Sequence, residues 1–497
     1  MTEMTTAGTS SAGTRPDPHH ARRWLILAVI GIAQLMIVLD ATVVNIALPQ
    51  AQKALGFTDG DRQWIVTAYS LAFGSLLLFA GRLADLIGQK NTFLIGLAGF
   101  AAASLLGGGA PNFEVLVTAR ALQGAAGALL APAALSLLTT TFTDARERAT
   151  AFAVFGGIAG SGAAIGLLLG GLLTEYFNWR WTLFVNLVFT VVAIIGTLTL
   201  LHTRGSGHRP RLDLPGTVIA SAGLFGLVYG FSNAESHGWR TPATWGCLVA
   251  GTLLVALFTW WQTIATHPLL PLRVLLDRDR AGSFIAVFIT GAGMFGVFLF
   301  LTYYLQATLG YSPVRTGLAF LPMVGALMVA ATAATTQLMP RIGARPLIGA
   351  GMVLAAIAMA WLTGIGPHSG YGTHILLPLL VAGVGIGLVM APAMSTATFA
   401  VAPDDAGVAS ATVNTMQQIG GSIGTALLNT LAASAATAYA VGRRPSPDLA
   451  VQAQLHSYHT AFWWAAGIFL LGALITTPLL RGGRPAANQG ALPVAHM

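Results

Sequence analysis

Residues 115–138 read VLVTARALQGAAGALLAPAALSLL, and Arg120 is the only charged residue in the run. About 20 apolar residues at 1.5 Å each match the hydrocarbon thickness of a bilayer, so this stretch is a membrane helix. Arg120, Gln123, Gly124 and Gly127 fall at i, i+3, i+4 and i+7, on one helical face. A guanidinium at membrane depth costs roughly 2.5–3.5 kcal/mol even on insertion scales, so that face must meet protein or water and supply a partner. Asp40 is the one acid deep in an apolar span. With alternate spans running in opposite directions, Arg120 and Asp40 lie about 10 Å and about 13 Å from the same side of the membrane. A buried ionisable pair at matched depth is therefore the first functional expectation.

The rest of the chain is built the same way. Of its 497 residues 55% are hydrophobic and only 8% charged, with a mean hydropathy of +0.71. Soluble domains carry about 25% charged residues, so the chain is a polytopic membrane protein. Apolar runs predict fourteen spans, at 24–48, 63–81, 92–110, 115–138, 149–173, 181–201, 214–233, 244–264, 282–305, 315–336, 346–363, 374–397, 406–432 and 459–480. Placing the N-terminus inside puts 17 Lys and Arg on the inner side, 7 outside and Arg120 within the membrane, accounting for all 25. That bias makes both termini cytoplasmic and the span count even. The basic residues alternate between loops and form no single patch, which excludes nucleic-acid binding despite a pI near 10.1. One cysteine, Cys247, leaves no disulfide framework and no cysteine metal site. No Gly-x-x-x-x-Gly-Lys loop is present, so direct ATP coupling is unexpected; no metal site is expected either. The first 20 residues lack an apolar signal core and read as a disordered cytoplasmic tail.

A coarse duplication organises the spans. Gly81-Arg-Leu-Ala-Asp-Leu-Ile-Gly-Gln-Lys90 and Met339-Pro-Arg-Ile-Gly-Ala-Arg345 are both short, basic, glycine-bearing turns after the second span of a six-span block. The expected organisation is a tail at 1–20, a six-helix bundle at 21–202, and a linker with two extra helices at 203–280. A second six-helix bundle at 281–481 and a tail at 482–497 complete it. Repeats of this kind place a transport path between the halves.

Several motifs carry a specific resemblance. Leu39-Asp40-Ala-Thr42-Val-Val-Asn45-Ile-Ala47-Leu48-Pro49 puts a carboxylate in a low-dielectric wall, where burial and a nearby cation act oppositely on its proton affinity. Gly81, Leu83, Asp85, Gly88 and Lys90 share the spacing of an inter-helix loop motif, although Leu86 and Gln89 stand where basic residues are usual. Arg120-Ala-Leu-Gln123-Gly124 fits a fourth-helix motif. The fifth span repeats glycine at Gly162, Gly166 and Gly170, a smooth face for close helix approach, but carries Ala163 and Leu167 where a motif of two prolines is expected. Asn178-Trp179-Arg180-Trp181 and Phe184-Val-Asn186 restore the match, and Asn414, Gln417, Gln418, Gly420 and Gly424 continue it in the second half. The chain resembles the major facilitator superfamily, in its fourteen-helix drug:proton antiporter branch.

The resemblance implies an all-α membrane fold of two six-helix bundles plus two extra helices, in a bacterial-type cytoplasmic membrane and functional as a monomer. It implies alternating access, with hydrophobic compounds exported against protons and no cofactor beyond the proton gradient. Asp40 would carry the proton and Arg120 would tune it, or the pair would only brace the bundle. Gly81, Asp85, Gly88 and Lys90 would form a conformational-switch loop, and Gly162, Gly166, Gly170, Gly420 and Gly424 would pack helices. Gln123, Tyr303, Tyr304, Asn414 and Gln417 are the candidates for a substrate cavity, with core packing or hydrogen bonding between helices as the other reading. The missing prolines leave antiport against other coupling open. The rival functions are a dedicated exporter of one metabolite or antibiotic, and a transporter-like sensor, which would need an output domain.

Overall fold

The computed structural model describes residues 22–481 apart from 59–60, 143, 202–212, 238, 240, 267, 271, 400, 402–405 and 444–445. The expected tails at 1–20 and 482–497, and most of the linker start, lie outside these residues. Among the described residues the chain forms fourteen helices of 19 residues or more. They are α1 Arg23–Leu55, α2 Arg62–Ile87, α3 Gln89–Gly108, α4 Phe113–Thr141, α5 Ala145–Tyr176, α6 Trp181–Leu200 and α7 Leu214–His237. The rest are α8 Pro242–Ile264, α9 Arg278–Tyr303, α10 Pro313–Ala333, α11 Ala344–Leu362, α12 Leu377–Thr398, α13 Ala406–Ala440 and α14 Pro447–Leu479. Each overlaps one predicted span. Twelve helices are long and apolar enough to cross a membrane, with α2 and α5 falling outside that set among the described residues.

Local chemistry sets the helix ends. Asn112 accepts from Val115 N to open α4, and Ser312 and Ser446 do the same for α10 and α14, each followed by a proline that has no N–H to lose. The basic turn expected over Gly81–Lys90 is mostly helix: α2 runs on to Ile87 and only Gly88 breaks it, at φ +89°. Leu83, Ala84, Leu86 and Ile87 are competent helix residues, whereas the left-handed backbone at the break suits glycine. Gly343 does the same between Ile342 and α11, at φ +80°. The two turns read as a repeat thus share one geometry.

One apolar cluster joins Ile26, Ile37, Phe73, Phe100 and Leu130 within α1–α4. A larger one fills α9–α14 and continues into Val44–Ala51 of α1, so the halves share a core at one end. The seams between halves are α2 against α13 and α5 against α10. The extra pair packs on itself through Gly226, Gly230 and Gly251, and α7 lies against both α2 and α13. Ser221 Oγ donates to Ser75 O across that contact at 2.9 Å.

The pair is anchored by Asp213. Its carboxylate accepts from Gly216 N, Trp261 Nε1 and Gln262 Nε2, each at 2.9 Å, while Gln262 Oε1 accepts from Leu270 N. Burial raises this carboxyl, but the hydrogen bonds from Gln262, Trp261, Gly216 and Leu269 outweigh it, so it sits below its ordinary value. A depressed value means the stabilisation is present above the unfolded-chain pKa of about 3.9 and fades as pH falls through the folded one. Asp213→Asn should therefore unfold more easily at neutral pH by roughly 1–3 kcal/mol, with the gap to the parent closing below about pH 4. Thermal unfolding of both proteins in detergent across pH checks this, and a gap that stays constant in acid would refute it.

Candidate functional site

Asp40 and Arg120 form an ion pair. Arg120 Nη1 donates to Asp40 Oδ2 at 2.5 Å, and the side chains are 2% and 0% exposed. Both residues are fixed by a network from five helices. Arg120 Nε donates to Ile65 O of α2 at 3.1 Å, and its guanidinium lies over the Tyr69 ring at 4.5 Å. Nη1 also donates to Gln123 Oε1 at 2.8 Å, one helical turn along α4. Gln123 Nε2 then donates to Asp40 Oδ1 at 3.0 Å and to Ser104 Oγ of α3 at 2.9 Å. Asn186 Nδ2 of α6 donates to the same Oδ1 at 2.8 Å. A carboxylate this deep is tolerable because each oxygen meets donors and a cation lies beside it.

The glycine face of α5 packs along α1, the helix that carries Asp40. A methyl on Gly162 would meet Val38 at 2.9 Å and one on Gly170 would meet the Val43 backbone at 3.0 Å. On Gly166 it would run into the Thr42 side chain. The helix itself is continuous for 32 residues, with Ala163 and Leu167 where prolines were expected. Gly420 and Gly424 bring α13 onto Phe288 and Ala292 of α9 in the same manner. A cavity of about 10 Å³, the size of one water, touches Arg120 between Val44, Leu48, Leu116 and Trp179.

The other sequence candidates separate. Gln123 lies inside the ion-pair network, fully buried. Lys90 Nζ donates to Leu201 O, tying the start of α3 to the end of α6. Gly81 is half-buried on α2, and the Asp85 side chain lies outside the described residues. Tyr304 is a core residue whose hydroxyl donates to Gly366 O at 2.7 Å. Asn414 is half-buried and donates to Ser410 O of its own helix, and Gln417 is half-buried beside Gly291. Tyr303 alone of the five cavity candidates lines the cleft of about 850 Å³ found where α1 and α9 end and α14 begins. Lys53, Gln306, His368 and Asp448 also line it.

Residues without an assigned role in the sequence complete both regions. Ser104, Asn186 and Tyr69 belong to the network; the readable signal was a lone amide and a lone serine in apolar spans. Arg62, counted only as a loop charge, is 3% exposed and bridges the halves. Its Nε and Nη2 donate to Asn429 Oδ1 of α13 at 3.3 and 3.1 Å, and its guanidinium lies over Tyr303 at 4.3 Å and Phe300 at 5.7 Å. At the same end Tyr303 donates to Gln52, Gln306 to Ile46 O, and Val314 N to Glu175.

Comparison with known proteins adds an independent line. The family model described as Major Facilitator Superfamily matches residues 30–425. A puromycin resistance protein of Streptomyces alboniger is 48% identical over 482 residues, 97% of this chain and 95% of that protein. A cephamycin export protein of Amycolatopsis lactamdurans is 37% identical over 493 residues, 98% of each. A tetracenomycin C resistance and export protein of Streptomyces glaucescens is 34% identical over 433 residues, 86% of this chain and 78% of that one. Among solved structures, an auto-inhibited peptide transporter of the POT family aligns with a TM-score of 0.68 at 16% identity, over 95% of this chain and 99% of that one, a likeness of fold.

Proposed function

The chain belongs to the major facilitator superfamily, and we propose that it exports hydrophobic small molecules, antibiotics among them, across the cytoplasmic membrane in exchange for protons. The observation that carries this reading is the Asp40–Arg120 pair, a titratable carboxylate held at span depth by side chains of neighbouring helices. A structural brace needs no ionisable acid there, and intramembrane ionisable groups mark ion paths. In this reading all fourteen long helices span, with both termini cytoplasmic. Two six-helix bundles at 21–202 and 281–481 rock about a single-chain seam, with 203–280 as linker. The end bearing Arg62 is then the outer one, and its contacts between halves describe an outer gate that is closed. The turn at Gly88 and Lys90 faces the cytoplasm and steadies one state. Movement of one charge down a potential supplies about 2.3 kcal/mol per 100 mV, enough drive with no cofactor.

The relatives support a second reading on substrate equally well. Three are named for single antibiotics or antibiotic classes, which fits a dedicated exporter as well as a broad one. Reconstituted vesicles under an imposed pH gradient separate the two. Substrate-driven proton release by several unrelated lipophilic cations and neutral antibiotics is the multidrug result, and release by one compound is the dedicated result. Silence across the panel while direct drug uptake proceeds would refute proton exchange.

A further inference from the structure

In the network around Asp40 every neighbour donates. Arg120, Gln123 and Asn186 each direct an N–H at the carboxylate, an arrangement matched to the anion. A protonated Asp40 has one O–H to place, and a donor cannot take it. One of these groups must present an acceptor instead. Arg120 has none. Gln123 has one, but its Oε1 already accepts from Arg120 Nη1 at 2.8 Å, so turning its amide breaks that bond. Asn186 differs: its Oδ1 is buried and has no hydrogen-bond partner. Turning this amide about its last bond gives up no bond on the oxygen side. It brings Oδ1 to the place from which Nδ2 reaches Asp40 Oδ1 at 2.8 Å. Ser104 Oγ, at 3.4 Å from Nδ2, then has the amide oxygen beside it as an acceptor.

Resting on the reading of Asp40 as proton carrier, we propose that Asn186 is a positioning residue that inverts its amide with the protonation of Asp40, donating to the anion and accepting from the acid. The charged or titratable groups around Asp40 are Arg120 from α4 and Tyr69 from α2 beneath it. Ser104 and Asn186 come from α3 and α6, and α5 presents the Gly166 backbone. Asn186 thus serves both charge states in a place where water need not enter. An orphaned buried carbonyl oxygen costs free energy in the anionic state, and the acid O–H gives that oxygen a partner when the proton arrives.

The test uses the full chain in lipid nanodiscs, with difference infrared spectra recorded across pH. The protonated carboxyl band is assigned by its loss in Asp40→Asn. Asn186→Leu should move that band to higher frequency, because the acid O–H has lost its acceptor. The band should also appear about one pH unit higher, a roughly tenfold rise in proton affinity, because a charge-assisted bond to the anion outweighs a neutral one to the acid. The pH profile of exchange should follow. Asn186→Thr, whose hydroxyl both donates and accepts, should restore frequency and midpoint toward the parent values. If Asn186→Leu leaves both unchanged, or Asn186→Thr behaves as leucine does, the amide is only packing and the proposal fails. If no titrating band is lost in Asp40→Asn, Asp40 is not the carrier, and the proton-exchange reading falls along with this one.

Discussion

Asp40→Asn should abolish proton-driven accumulation while leaving substrate equilibration across the membrane intact. One charge moved down 100 mV sustains a gradient of roughly 40- to 50-fold, and without a titratable group at position 40 that gradient falls to unity. The difficulty is that the substitution also strips Arg120 of its anion, and unpairing one member of a buried ion pair costs about 3–5 kcal/mol. A fall in activity by itself could reflect misfolding. Asp40→Asn combined with Arg120→Met removes both charges, and replacing a buried pair by neutral side chains is often neutral or stabilising. The double variant should therefore regain thermal stability but not accumulation. Recovery of accumulation in the double variant would mean that the pair only braces the bundle. The companion measurement is proton release per substrate in vesicles, which should be absent in both variants.

The reason this pair was legible in the sequence is that the membrane makes charge conspicuous. Two ionisable residues at matched depth, in spans with nothing else charged, have few partners to choose from. The fourteen helices were legible for the same reason, since length and hydropathy are local properties. Partners that carry no charge were harder to see. Asn186 and Ser104 are polar residues of an ordinary kind; only the packing of α6 against α1 brings Asn186 to Asp40, and that of α3 against α4 and α6 brings Ser104 to the two amides that hold the carboxylate. Gln123 shares a helical face with Arg120, which the spacing gave, but whether that face meets a cavity or a carboxylate depends on tertiary contacts. The turn at Gly81–Lys90 is shorter than its motif, because Leu83, Ala84, Leu86 and Ile87 between its charges are helix formers and only Gly88 takes the left-handed backbone. Arg62 carried no visible role in the sequence because it begins a helix at a loop edge. Its burial comes from Asn429, Phe300 and Tyr303, more than two hundred residues away in the chain.

That long-range contact yields the second large expected effect. Arg62 belongs to one half and its partners to the other, so separating the halves at this end must withdraw a guanidinium from an amide oxygen and two aromatic faces. Charge-assisted hydrogen bonds contribute about 1.5–3 kcal/mol and a desolvated cation–π contact about 2. Hydration of the freed cation offsets part of this, leaving roughly 3 kcal/mol, or about a hundredfold in the closed-to-open equilibrium. Arg62→Leu should therefore populate an outward-open state that is scarce in the parent. Spin labels at Lys53→Cys and Gln452→Cys, in a Cys247→Ser background, sit on opposite halves across the cleft that Tyr303 lines. The parent should give one short distance, and Arg62→Leu a second, longer population. Arg62→Lys keeps the charge but not the planar fork, and should fall between them. Asn429→Leu removes the acceptor from the other side and should reproduce the longer population, since the latch needs both members. If neither substitution lengthens the distance, the closure rests instead on the Tyr303–Gln52, Gln306–Ile46 and Val314–Glu175 contacts and on the apolar core that α1 shares with the second half.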